Sequence, residues 1–598
     1  MGLHEMSVGD FGEFGCTMIL TPGAGNATTS ATTGASGSGV VDQNATLQVP
    51  IIRGMAFVSG LYHNLTPRIF SETLVQNLAL DSSSSQLQMG GWVKYRFSMG
   101  DATTWLLYAR NDNPSDPLLK LDKKSEQGGA AVSTSGPFTG LLQIAKLPVG
   151  NEVEAEKLYD AAVGVYATSG NLVVRDMYTQ NNAAGYRIDW ILAGNSSKNF
   201  MHFTLPHHRD TLTDTATATS LVLPSTTKGK MVAYLGESWH FAEPDRITVG
   251  FLPDGWPDRV SQERLATIRE QVQQDVEVNF ENAANGHSLY YTGKALAKFG
   301  LVCLVAADVI KEDEQLKQTC LEKLKTAFSR FLENRQEFPL VYDSTWKGLI
   351  TSQAGPDVDF GNGWYNDHHY HYGYFVHTAA ILRHLDPTWN SDALSSFVHG
   401  LIRDVANPSS EDPYFPVFRY FDWFMGHSWS QGLFLSADGK NEESTSEDVN
   451  FYYAMSLWAS ANSDPKLERL GQVMLTIARR SIQAYFLMED GNANHPKAFV
   501  GNKVTGILYE NKGIQMIPAT PVLPLIRRTA FVRQEWDGLL QSIVGNITDG
   551  WKSVLMTNYG VLDTDAAWEY FAKGNATSRP LDDGLSRTWA LFYVASLQ

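Results

Sequence analysis

The stretch "SQERLATIREQVQQDVE", residues 261–277, divides the chain into two kinds of sequence. Its apolar residues recur at three- and four-residue intervals, the spacing of one buried helix face. The same period continues C-terminally in "GKALAKFGLVCLVAADVIK" (293–311), "DEQLKQTCLEKLKTAFSRFLENR" (313–335), "YFVHTAAILRHL" (374–385) and "DALSSFVHGLIRDVA" (392–406). It goes on through "EDVNFYYAMSLWASA" (447–461), "KLERLGQVMLTIARRSIQAYFL" (466–487), "FVRQEWDGLLQSIV" (531–544) and "RTWALFYVASL" (587–597). About ten helices joined by aromatic- and Gly-rich loops predict an α/α toroid, with functional residues on rim loops. No fixed-length repeat runs through them, which argues against a solenoid.

Upstream of 255 the period is different. "IIRGMAFVSGLY" (51–62), "GGWVKYRFSM" (90–99), "TTWLLYAR" (103–110), "NLVVRDMYT" (171–179) and "GYRIDWILAG" (185–194) are short β-branched and aromatic runs. Gly, Asn, Asp and Ser break them at intervals suited to antiparallel sheets, and a sandwich is the economical way to pack so many short strands. Residues 21–39, "TPGAGNATTSATTGASGSG", are low-complexity and predict a loop.

The totals agree with a folded protein of at least two domains. The chain has 598 residues, 43% hydrophobic and 19% charged. A formal net charge of -17 opposes nucleic acid and anionic membranes as partners and leaves neutral polymers open. Three cysteines, Cys16, Cys303 and Cys320, are too few for a disulfide framework. Cys303 and Cys320 lie on neighbouring helical segments and could pair, but two buried thiols are the expectation. Sequons at Asn26, Asn44, Asn64, Asn195, Asn546 and Asn575 lean towards secretion. The first residues contain no basic or apolar region of a signal peptide, and no apolar run reaches a membrane span.

Two stretches carry chemistry. "FGNGWYNDHHYHYGYFVH" (360–377) gathers aromatic rings, Asn362, Asn366 and the histidines 368, 369, 371 and 377 around one acid, Asp367. As a metal site it lacks an H-E-x-x-H spacing, and His207 and His208 lie in the other half of the chain, so no catalytic metal is expected. As plain core it holds too many polar atoms, each of which needs a partner. A sugar groove reconciles the two, because ring faces cover pyranose C–H groups while imidazoles and amides match hydroxyls. The second stretch, 421–458, runs from "FDWFMGHSW" into "NEESTSED". Here Glu447 is open to two readings, a catalytic acid or the closing residue of a capping box with Ser444. Glu443 and Glu447 would share a helical face. Asp367 paired with an acid at 443 or 447 is what glycoside hydrolysis needs, one to protonate the leaving oxygen and one to activate water.

"YNDHHYHYGYF", "FDWFMGHSW" and "DGKNEESTSEDVNFYYAMSLW" resemble the catalytic signatures of glycoside hydrolase family 81, the endo-β-1,3-glucanases. The resemblance continues in "RGMAFVSGLY", "FTLPHHRD", "TTKGKMVAYLGESW", "SLYYTGKALAKF", "FPLVYDSTWKGLI" and "KGIQMIPATPVLPLI", and so covers nearly the whole chain in order. It implies a multidomain β + α protein: an N-terminal β-sandwich over 1–236, a connecting segment over 237–280 and a C-terminal (α/α)6 barrel over 281–598. It also implies inverting endo-hydrolysis of β-1,3-glucan, with no metal or organic cofactor. Asp367 then matches the general acid, Glu447 the base, and Glu443 a supporting or alternative base. Tyr374 matches a tyrosine near the catalytic centre. His371, Trp364, Trp423, His427 and Trp429 are expected along the glucan groove. The resemblance places further sandwich strands before the segment at which this chain starts, so its first domain is expected to be incomplete. A monomer acting outside the cell or in the cell wall is expected, without nucleic-acid partners or membrane insertion. A β-glucan-binding lectin with little turnover is the rival reading. A lyase or hydrolase of charged polysaccharide is disfavoured by the net charge and by the lack of an Arg cluster beside the acids.

Overall fold

The computed structural model describes residues 4–22, 44–81, 90–126, 129–175, 184–195, 199–353, 355–434, 437, 439–506, 516–573 and 580–597. From residue 23 onward, the low-complexity stretch lies outside them, as do the sequons at Asn26 and Asn575. Two compact units meet in sequence at Ala242 and Glu243, the first β-rich and the second helical. The strand Ser238–Glu243 ends at that boundary and the helix Gln262–Glu277 belongs to the second unit, so the segment 237–280 is shared between them.

In the first unit the largest sheet has eight antiparallel strands. Their order is His4–Gly12, Gly15–Pro22, Thr46–Ile52, Val58–Leu65, Phe138–Lys146, Thr104–Asn111, Trp92–Met99 and Val75–Asp81. The strand period of two separates its two cores. Leu106, Tyr108 and Leu141 pack with Ala155 and Tyr159 of the helix Glu152–Ala162 and with Phe203, Leu221 and Ala233. One residue further along each strand, Leu107, Ala109 and Leu142 pack with Leu119, Leu121, Ala130 and Val132 on the other face. A buried lysine crosses the first core. Lys94 Nζ lies 2.9 Å from Asp81, 2.8 Å from Glu156 and 3.0 Å from Asp160, which fastens the helix to the sheet.

The second unit starts with the dividing stretch of the sequence. Ser261 caps Gln262–Glu277 by accepting from Arg264 N, and Ile268, Val272 and Val276 form its buried stripe. Further along, two classes of helix recur. Leu289–Leu304, His368–Leu385, Thr445–Ala461 and Arg587–Ser596 are buried nearly all round. Glu314–Leu332 and Ser391–Ala406 are buried along one face, at Leu321, Leu324 and Phe328 in the first and at Leu394, Val398 and Leu401 in the second. Cys303 and Cys320 form a disulfide between Leu289–Leu304 and Glu314–Leu332. This corrects the expectation of two free thiols: adjacent packing brings their Cα atoms to 5.5 Å, inside bridging range.

Candidate active site

Asp367 is held by a loop of unusual backbone. Asp359, Phe360, Tyr365 and Asp367 all have positive φ, from 46° to 65°, a region costly for residues with a side chain. The surrounding bonds over-determine the loop. Asn362 is buried and its Oδ1 accepts from Thr351 N at 2.8 Å. The Tyr420 hydroxyl donates to Tyr365 O, Asn366 Oδ1 accepts from Gly432 N, and the Asp367 amide donates to Ser430 O at 2.9 Å. Asp359 accepts from Ser288 Oγ and Leu289 N, which ties the loop to the start of Leu289–Leu304. His368 is satisfied at both ring nitrogens, by Asp404 Oδ2 at 2.6 Å and Asn362 O at 2.8 Å. Asp367 therefore stands as the N-cap residue of His368–Leu385, half-buried, on a fixed frame.

The same frame reaches the second pair of acids. Ser430 Oγ and the Tyr370 hydroxyl lie 2.8 Å apart. Ser430 Oγ accepts from Glu443 N at 2.7 Å, and Tyr370 accepts from Ser444 N at 3.0 Å. Ser430 thus contacts the backbone of both acid-bearing loops, one through its carbonyl and the other through its hydroxyl. Glu443 is half-buried.

Glu447 lies in the first turn of Thr445–Ala461 and is 3% exposed. Of its two readings the capping box does not form, because the Ser444 side chain makes no cap bond. Instead Glu447 Oε1 accepts a 2.6 Å hydrogen bond from the Tyr374 hydroxyl, contributed by the neighbouring helix. Burial raises its carboxyl above the ordinary glutamate range, opposed first by Tyr374 and also by Lys294 and Tyr290. Lys294 and Tyr374 also line a small cleft with Asp582 and Trp589.

The expected groove residues separate. Trp364 is exposed and faces Phe434 at 6.5 Å between centroids. His371 is buried between Tyr290 and Phe360, and burial brings its pKa down to about 4. Trp423, His427 and Trp429, expected along the groove, are buried side chains in this structure. Trp423 is packed by Phe418 and Phe421, and His427 by Trp429 and Phe486. Trp429 Nε1 donates to Asp422 Oδ2 at 3.1 Å. His427 Nδ1 is hydrogen-bonded to Ser428 O, and the hydroxyls of the buried Tyr365, Tyr370, Tyr372 and Tyr374 are likewise bonded inside the fold. Beside the exposed Trp364, further exposed rings are Phe434, which faces it, and Phe360 with its neighbour Tyr291, none of which sequence reading singled out. Phe360 lay inside the quoted stretch; it is half exposed and has a positive φ.

The comparisons fit this geometry. Residues 26–256 match the model of the glycosyl hydrolase family 81 N-terminal domain, and 259–591 that of the C-terminal domain. The chain is 39% identical to the primary septum glucan endo-1,3-beta-D-glucosidase of Schizosaccharomyces pombe, over 93% of this chain and 55% of that protein. It is 37% identical to a glucan endo-1,3-beta-D-glucosidase of Arthroderma benhamiae, over 91% of this chain and 62% of that protein. With glucan endo-1,3-beta-D-glucosidase 2 of Saccharomyces cerevisiae it shares 35% identity, over 92% and 72%. It thus spans a little over half the length of the first two. A solved family 81 structure from Clostridium thermocellum superposes with a TM-score of 0.76 over 100% of this chain and 79% of that one, a likeness of fold at 20% identity.

Proposed function

The chain belongs to glycosyl hydrolase family 81, and from that premise we propose that it hydrolyses internal β-1,3-glucosidic linkages of laminarin-type glucans. The observation that carries the reading is the shared Ser430–Tyr370 frame, which holds Asp367 and the Glu443–Glu447 segment at the starts of two adjoining helices. In the proposed reaction Asp367 gives its proton to the glycosidic oxygen as the anomeric C–O bond breaks. Glu447 takes a proton from water as that water bonds to the anomeric carbon on the opposite face. One displacement inverts the anomeric configuration. Tyr374 positions Glu447 and Trp364 offers an apolar platform to a pyranose face. One observation favours Glu443 as the base instead, since it is half-buried where Glu447 is almost wholly enclosed.

Alternation of all-round-buried and one-sided helices supports an (α/α)6 barrel for the second unit, with the former as its inner ring. The two-faced core of the eight-stranded sheet supports a sandwich for the first. The Cys303–Cys320 disulfide and exposed sequons at Asn44, Asn64 and Asn546 support an oxidising compartment, outside the cell or in its wall. We take the working form to be a monomer, with neutral glucan as its partner.

Proton NMR of laminarin digestion tests the reading. Wild type should release reducing ends that appear first as the α-anomer, from internal cleavage. Asp367→Asn should lose turnover by at least about a hundredfold, as expected for removing general-acid catalysis. Glu447→Gln should do the same while Glu443→Gln retains more activity; the reverse order would move the base to Glu443. Binding of laminarin without any release of reducing ends would leave the lectin reading standing.

A further inference from the structure

Behind the acid-bearing loops, His369, Glu442 and Asp448 close on one another in the interior. All three are 0% exposed. One ligand atom of each lies within 4.8 Å of the other two, and His369 Nε2 is 3.8 Å from Glu442 Oε2. That gap is too long for a direct hydrogen bond. Among the described residues neither nitrogen of His369 nor Asp448 Oδ1 has a hydrogen-bond partner, and the Glu442 carboxylate is approached by the Tyr370 hydroxyl without a hydrogen bond of good geometry. Each such buried orphan costs about 1–3 kcal/mol, and the two nitrogens of His369 and Asp448 Oδ1 converge here. The contrast with His368, one residue away and bonded at both nitrogens, shows that the surrounding fold can satisfy an imidazole.

Charge sharpens the point. Three other buried acids of this unit have a cation: Glu535 pairs with Arg527, Glu243 with Arg480 and Asp404 with Arg419. Glu442 and Asp448 have no lysine or arginine partner among the described residues. A proton alone does not mend the cluster, because a protonated carboxyl still faces a nitrogen 3.8 Å away. An atom between them does. A divalent ion about 2.0–2.2 Å from each donor spaces its ligand atoms by roughly 3–4 Å.

We propose that His369, Glu442 and Asp448 bind one divalent first-row transition cation, of the zinc or manganese(II) class. One imidazole nitrogen and two carboxylate oxygens suit either ion, with water completing the sphere. Asp448 Oδ2 accepts from Ser428 N, which orients the carboxylate from outside. The ion is structural. His369 follows Asp367 by two residues and Glu442 immediately precedes Glu443, so a cation here clamps the two loops whose acids must keep a set separation. It touches neither substrate nor reacting atoms.

Metal analysis by plasma mass spectrometry of the full chain tests this without substrate, so its outcome is independent of the hydrolase reading. After loading with zinc or manganese(II) and desalting, about one equivalent per chain is expected. Chelator should remove it with a fall of several degrees in melting temperature, and reloading should restore both. The cobalt(II)-loaded chain should show ligand-field absorption bands. Glu442→Gln and Asp448→Asn should each lose the retained equivalent. Failure of wild type to retain zinc or manganese, with a melting temperature indifferent to chelator, would show a water-filled cluster and overturn the proposal. So would an equivalent retained undiminished by a folded Glu442→Gln chain. If both variants fail to fold, loading of wild type and its chelator response decide alone.

Discussion

Tyr374 shows how much one side chain changes the meaning of an acid. In sequence, Glu447 reads equally well as a capping residue. In the fold its carboxylate is enclosed, and the Tyr374 hydroxyl from the neighbouring helix is hydrogen-bonded to it at 2.6 Å. A hydrogen bond to a charged buried group contributes about 1.5–3 kcal/mol. Tyr374→Phe removes that bond and leaves the ring in place. Urea unfolding should show a loss of stability of about that size, and turnover of laminarin should fall about tenfold or more. Full activity together with unchanged stability would show that the bond does not position Glu447. The tyrosine was legible from the family motif, whereas its partner was not, because the contact joins residues 73 positions apart.

Among loops and helices, the critical feature is the close crossing of two segments. A Cβ placed on Gly432 would stand 2.4 Å from the carbonyl oxygens of both Trp364 and Tyr365. No side chain fits against two backbone oxygens at that distance, so the 359–367 loop and the 430–432 strand of chain can meet only at a glycine. Gly432→Ala should displace the Asp367 loop from Ser430. Activity should drop by at least about a hundredfold, the scale expected when reacting groups move by about 1 Å. The helical circular dichroism signal should stay that of wild type. Retained activity in the alanine variant would mean that the loop position does not set the geometry of the acid. Helix positions here were legible from periodicity, and the loop conformation was not. Four positive-φ non-glycine residues within nine positions have no signature in composition when all four are aromatic or acidic and only their partners hold them.

For the whole molecule, acid sensitivity follows from histidines buried in the neutral state. His202 lies between Trp190 and Phe200 in the first unit, its Nε2–H donating to Arg53 O, and burial brings its pKa down to about 3. His377 in the second unit is brought down to about 4 by burial. Both values lie below the ordinary 6.5, so the folded chain binds fewer protons than the unfolded chain in between. Their contribution is complete above about pH 6.5 and is lost as the pH falls towards 4 and then 3, at about 1.4 kcal/mol per unit of separation for each. Melting temperature should therefore fall steadily from pH 7 to pH 4. His202→Gln should flatten that slope, and a slope unchanged by the substitution would remove His202 from the account.

Local order was determined by the sequence itself. The change of period near residue 260, the short alternating strands before it and the capped helices after it depend on neighbours within a few positions, and the structure repeats them. Charge and aromatic loops also singled out the acids at 367, 443 and 447. Tertiary structure alone decided which rings face water, because Trp364 and the buried Trp423 have the same sequence character and differ only in what packs over them. It also joined Cys303 to Cys320, and it gathered His369, Glu442 and Asp448 from two segments about 70 residues apart. Burial and partnership between distant segments are properties of packing, and no local pattern of residue types records them.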